Sequence, residues 1–211
     1  MNQDNATSTL EKIHIAAKQE FLDKGFQLAS LRNIVKKAGV TTGAFYGYYK
    51  SKEELFDALV GEQAEYVLRL FDTTLENFNK LSGEEQTQKM TDISGGAMLR
   101  MLDYIYEYVD AFKLLILCVE GTKYADFIHQ LVLKETGSTF AYIETLKQMG
   151  ISIKPINKNL VHMLSSGLFT GVFETIVHDM PKEEAKAYVQ QLQQFHTAGW
   201  EQLLGVKFGE Q

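Results

Sequence analysis

Only two prolines, Pro155 and Pro181, interrupt the 211 residues, and each falls where a helical pattern stops. Proline breaks a helix interior by removing an N–H donor and clashing with the preceding turn, so the long stretches without it are free to run as helix. No stretch sustains the strict apolar–polar alternation of a half-buried strand. The chain therefore reads as all-α. A first helix over 9–24 places Leu10, Ile13, Ala17 and Phe21 at threes and fours on one face, with Gly25 as its left-handed stop. Ser30 caps a short second helix with Leu31, Ile34, Val35 and Ala38 inward, and Gly39 ends it. Thr41 caps a third helix over 42–48. Ser51, with Glu54 three residues on, makes a capping box for a fourth that reaches Phe78. Further helices are predicted over 85–108 (loosened at Gly95-Gly96), 110–120, 124–148, 157–178 and 183–204.

With 45% hydrophobic residues the chain buries a full core without a disulfide or a metal. Its single cysteine, Cys118, excludes an internal disulfide framework and fits a reducing compartment. The N-terminus, MNQDNATSTLEKIH, has no apolar segment of the secretory type, and the longest apolar run, 114–119, is too short to span a bilayer. The expectation is a soluble cytoplasmic protein with no membrane partner. The net charge of -6 argues against nucleic acid, but its distribution argues the other way. No acidic residue lies between Asp23 and Glu53, while Lys24, Arg32, Lys36, Lys37, Lys50 and Lys52 do. A charge-segregated chain presents one basic face to a polyanion.

Inside that window, GVTTGAFYGYYKSK (39–52) suits neither regular structure. Each glycine inside a helix costs about 1 kcal/mol against alanine, so the strip they clear needs a compensating contact. Two short helices joined by Ala38-Gly39-Val40 make a helix-turn-helix. On the third helix Phe45 and Tyr49 face the core, and the pairs Thr42/Tyr46 and Gly43/Gly47 form the opposite side. That side has no side chain at two positions and is flanked by a hydroxyl and a phenol. Such a surface fits close approach to a DNA major groove. Thr41 and Thr42 are candidate phosphate donors, Tyr46 and Tyr48 offer hydroxyls at the groove walls, and Arg32 is placed for a base edge or a phosphate. Lys52 at the start of the fourth helix opposes that helix's dipole, which fits a phosphate opposite it.

Residues 9–60 resemble the N-terminal, homeodomain-like DNA-binding domain of the tetracycline-repressor (TetR) family of bacterial transcriptional regulators. The resemblance rests on Phe21, Gly25-Phe26, Ser30-Leu31, Ile34, Ala38-Gly39-Val40, Thr41, Phe45-Tyr46, Tyr48-Tyr49 and Lys50-Ser51-Lys52-Glu53-Glu54-Leu55, in order and spacing. Tyr49 stands where that family usually has phenylalanine, leaving a hydroxyl at the core edge, and Gly43 falls at a position that varies. The implied organisation is a helix-turn-helix domain over 1–54 and a helical effector-binding and dimerisation domain over 55–211. The resemblance further implies a homodimer on a near-palindromic operator, its recognition helices roughly 34–36 Å apart. It also implies a small molecule in the second domain that alters this spacing, most simply by releasing a repressor from DNA.

In the second half, the predicted helices over 157–178 and 183–204 suit a four-helix dimer interface. Its candidates are Leu164, Gly167, Leu168, Gly171, Leu192, Phe195, Gly199 and Leu203. For a largely apolar effector the candidates are Met101, Tyr104, Tyr108, Phe112, Phe127, Phe169 and Phe173, with His129 for a polar group. The same residue types also fill ordinary cores. Glu174 and His178 have the spacing of a metal pair, but two ligands do not make a site, and neither metal nor cofactor is expected. No Gly-rich phosphate loop, HExxH or GxSxG motif occurs. The competing readings are an enzyme on a helical scaffold and a helical module whose basic end binds an acidic protein.

Overall fold

A computed structural model describes residues 8–209, so the reading of the first seven residues lies outside it. Among the described residues there are nine helices and no strand: α1 (Thr9–Leu28), α2 (Leu31–Ala38), α3 (Thr42–Tyr46), α4 (Lys52–Asn79), α5 (Gly83–Glu107), α6 (Val109–Leu117), α7 (Phe127–Gln148), α8 (Lys158–Val177) and α9 (Lys182–Leu204). They form two compact units. One holds the chain up to Glu65 together with Tyr108–Ala125, and the other holds Tyr66–Glu107 and Asp126 onward. This division differs from a single cut after Glu54, because α6 packs on α1 and so joins the first unit although it follows α5 in the chain.

In the first unit Ile13, Ala17, Phe21, Phe26, Ile34, Phe45, Leu55 and Phe56 are fully or almost fully buried. The rings of Phe21, Phe26 and Phe56 meet in a triangle with centroids 5.1–5.8 Å apart. The turn that brings Phe26 back under Phe21 is made by Gly25, at φ 71° and ψ 165°. That region is essentially closed to any residue with a side chain. Gly25 is therefore a kink within α1 rather than the simple left-handed stop expected. Gly39 does adopt the left-handed C-cap conformation, with Val40 N–H donating to Val35 O. The single cysteine fastens α6 to α1: Cys118 O accepts from Phe26 N–H, and the buried thiol donates to Phe21 O at 3.2 Å. Burial pushes that thiol up to about 11.

In the second unit α7 packs on α8, α8 on α9 and α9 on α5, and the distal part of α4 meets α5, α8 and α7 through the ring pairs Tyr66–Tyr104, Phe71–Phe169 and Phe78–Tyr142. Gly95 does not loosen α5. A methyl group there would lie 2.5 Å from Gln193 Nε2, and that amide donates to Thr91 O, so the bare position lets α9 close on a continuous helix. α8 is long and apolar enough, by length and composition, to cross a membrane. Here its Val161, Phe169, Val172 and Phe173 are buried against neighbouring helices, as in a core helix.

Candidate DNA interface and effector cavity

The turn between α2 and α3 is built as its residues dictate. Thr41 Oγ1 accepts from Ala44 N–H at 3.1 Å and starts α3. α3 is shorter than predicted: it ends at Tyr46, and Gly47 and Tyr48 continue it as a tight turn. Tyr48 N–H and Tyr49 N–H both donate to Phe45 O, the crowding of bonds typical where a glycine-weakened helix closes. The facing is as expected. Phe45 is completely buried and Tyr49 nearly so, while Thr41, Thr42, Gly43, Tyr46, Gly47 and Tyr48 are all exposed. Tyr46 is 54% exposed and Tyr48 48%. The Tyr49 hydroxyl meets His14 Nε2 on α1 at 2.5 Å. That pairing explains how tyrosine sits at the core edge, and burial lowers the His14 pKa and raises that of Tyr49.

Lys52 requires a correction. Its ammonium donates to Phe26 O, Gln27 O and Ala29 O at 2.6, 3.2 and 3.0 Å and lies 4.4 Å from the Phe26 ring centroid. All three donors serve carbonyls left open where α1 ends, so no phosphate is needed to explain a cation at the start of α4. At the other end of the same turn, Glu20 is fully buried and gathers Lys24 Nζ (2.9 Å), Lys37 Nζ (3.0 Å), Asn33 Nδ2 (3.1 Å) and Ser30 N–H (3.3 Å). Ser30 occupies the N-cap of α2 by backbone conformation, but its hydroxyl makes no cap bond. Lys24 and Lys37 are thus internally engaged, while Arg32, Lys36 and Lys50 are exposed on the surface of the unit. A Lys52→Met variant should lose about 1–2 kcal/mol of stability, the worth of hydrogen bonds from a charged donor that water partly replaces. Chemical denaturation of the two proteins checks it.

Residues 13–59 match the tetR family of bacterial regulatory proteins. That segment, from α1 into α4, is similar to the N-terminal domain of the TetR family. It is 39% identical over 61 residues to the Tn10 TetC protein of Escherichia coli, covering 29% of this chain and 31% of that one. It is 24% identical over 174 residues to the transcriptional regulator SrpR of Pseudomonas putida, covering 82% and 76%. Its fold matches the regulator FadR of Bacillus subtilis, solved in complex with stearoyl-CoA, with a TM-score of 0.54 at 16% identity, covering 89% of this chain and 97% of that one. The TetC match spans about a third of that relative's length. SrpR and FadR are transcriptional regulators by name, and the segment of this chain that matches the family is the one that carries the helix-turn-helix.

The second unit contains a cavity of about 150 Å³. α4 contributes Val67, Phe71 and Phe78; α5 contributes Met98 and Met101; α7 contributes Glu135 and Tyr142; α8 contributes Leu168 and Phe169; α9 contributes His196 and Trp200. Of the residues predicted for an effector, Met101 and Phe169 line it. Tyr108 and Phe112 belong to the first unit. Phe127 and Phe173 meet edge to face in the core, Tyr104 stacks on Tyr66 at 3.7 Å, and His129 is exposed at the surface. The sequence reading missed the α4 and α9 walls. Phe71, Phe78 and Trp200 look like ordinary apolar-face residues until the helices are placed. Glu135 sits beside Lys134, which is taken by Asp72 at 2.5 Å. Burial in the cavity wall raises the Glu135 carboxyl to about 7, and burial likewise lowers His196.

Leu168, predicted at a dimer face, is half-buried and lines the cavity. Gly171 is also used within the chain, since a methyl group there would meet Leu192 Cδ2 at 2.9 Å. Gly167, Phe195 and Gly199 are exposed, and Leu164, Leu192 and Leu203 are half-buried. Beside them on α8 lie Leu160 and Met163, so α8 and α9 together present an apolar strip on which Phe195 is 74% and Met163 69% exposed. Among the described residues no group of three or more His, Cys, Asp or Glu side chains is arranged to hold a metal ion. Glu174 and His178 simply pair with each other at 3.0 Å.

Proposed function

We propose that this protein is a cytoplasmic, ligand-responsive repressor that binds a near-palindromic operator as a homodimer and leaves it when a small, largely apolar molecule fills the cavity of the second unit. The observation that carries the reading is the bare strip of α3. Thr42, Gly43, Tyr46 and Gly47 are open to solvent while Phe45 on the opposite side is locked in the core. Gly43 has no internal need to be bare, since a methyl group there would meet only Thr41 Oγ1 at 3.9 Å, whereas a groove-seated helix needs it; at Gly47 a methyl group would press on Ala44 O at 3.3 Å, so that glycine also serves the turn. Arg32, Thr41 and Tyr48 flank the strip and supply phosphate or base-edge contacts. FadR, with its stearoyl-CoA, supports a ligand site within this fold. The effector weakens DNA binding only by its differential affinity for the two states.

Selection of genomic fragments by the purified protein tests the proposal. A single enriched near-palindrome supports it, and retention of bulk DNA without sequence preference counts against it. The dimer has its own test. Placing a charge in the apolar strip with Phe195→Glu should raise the dimer dissociation constant about tenfold, equivalent to 1.4 kcal/mol. Sedimentation equilibrium reads the change directly.

A further inference from the structure

Among the described lining residues Glu135 is the one carboxylate, in a cavity otherwise made of aromatic, aliphatic and thioether side chains with a few hydroxyls and amides and one imidazole, His196, which burial biases toward its neutral form. No lysine or arginine is among the described lining residues, and the neighbouring Lys134 is committed to Asp72. A carboxylate held away from water without a cation is costly. An entering ligand changes that cost according to its charge. A protonated amine relieves it, a neutral group leaves it, and an anion adds like-charge repulsion. Trp200, Tyr142 and Phe71 lie in the same wall, and aromatic rings favour a cation over an anion. Size narrows the choice further, because an apolar cavity of about 150 Å³ holds a molecule on the scale of benzene.

We propose, resting on the effector reading above, that the cavity of the second unit recognises a small lipophilic amine, its ring or alkyl body among the aromatic side chains and its ammonium paired with Glu135. The side chain that disfavours a free carboxylic acid in this site is the one that selects the amine.

The chain carries its own reporter. Trp200 is its sole tryptophan and lines the cavity. Titrating the full chain at pH 8, where Glu135 is ionised, with benzylamine, benzyl alcohol and benzoate compares three ligands of one shape and different charge. Trp200 fluorescence should show benzylamine binding about tenfold tighter than benzyl alcohol, with benzoate weakest, a spread of 1.4 kcal/mol per tenfold step. In Glu135→Gln the amine should bind within a factor of about three of the alcohol. If that variant does not fold, the wild-type order alone decides.

Equal affinity of wild type for amine and alcohol, tighter binding of benzoate, or an amine preference that survives in Glu135→Gln would each overturn the ligand class while leaving the cavity as an effector site. If none of the three perturbs Trp200 up to its solubility limit, the ligand class and the effector role of the cavity both fall.

Discussion

Tyr46→Ala will lose operator affinity on the order of a hundredfold in a mobility-shift titration, while its sedimentation mass and melting midpoint remain those of wild type. The side chain projects from the open side of α3, is 54% exposed, and meets the Phe45 ring edge to face at a centroid distance of 5.5 Å. Its removal therefore spares the fold. A good contact to a base or phosphate is worth about 1–3 kcal/mol, and a two-fold dimer loses it twice, which gives the hundredfold. Tyr46→Phe separates the hydroxyl from the ring: a loss equal to that of alanine assigns the contact to the oxygen. Affinity unchanged by Tyr46→Ala at moderate salt would remove the strip from the interface. Lys52 behaves differently, because its ammonium is spent on the end of α1, so any DNA defect in its variants should track their lost stability.

The second large effect is on folding. Glu20→Gln should destabilise the unit carrying α1 and α2 by about 3 kcal/mol, the scale of hydrogen bonds to a buried charge. The carboxylate joins α1 to α2 through Lys24, Lys37, Asn33 and the Ser30 amide, and a neutral amide matches these partners poorly. Lys24 and Lys37 keep 42% and 37% of their side chains exposed, so water takes them back and the loss stays near that figure instead of the larger cost of stranding a buried charge. The pH dependence has a fixed sign. Lys24, then Lys37, Asn33 and Ser30, outweigh burial and hold Glu20 at about 2 instead of its ordinary 4.5. A depressed carboxyl stabilises fully above its unfolded value and loses that contribution as pH falls through the folded one. The gap between wild type and Glu20→Gln is thus constant above pH 4.5 and closes from there toward pH 2. Hydrogen exchange at the α1 and α2 amides reads this unit separately from the other.

The elements of this fold were legible where the signal is local. Thr41, Ser51 and Gly39 announce helix ends because a cap is decided within a few residues, and the buried Phe45 and Tyr49 follow from a spacing of four. What escaped is non-local. The partners of Lys52 lie 23–26 residues away, His14 lies 35 from Tyr49, and nothing in the periodicity of α1 or α4 pairs them. The cavity escaped for a related reason. Density of aromatic residues along the chain says that a helix has an apolar face, not whether that face meets another helix or an opening. Phe112 and Phe127 meet core, whereas Phe71 and Trp200, on helices read for other purposes, meet space. The contacts of Leu168 and Gly171 within the chain were not legible because α8 is apolar around most of its circumference, which leaves its direction undetermined until α7 and α9 are laid against it.

The contact of Cys118 with Phe21 turns the chain's one thiol into a clock. The sulfur is nearly sealed from water and hydrogen-bonded to α1, so an alkylating reagent reacts only in the moments when α6 parts from that helix. With no second thiol to blur the signal, the rate of modification counts those partings one by one, in a protein that needs no engineered label.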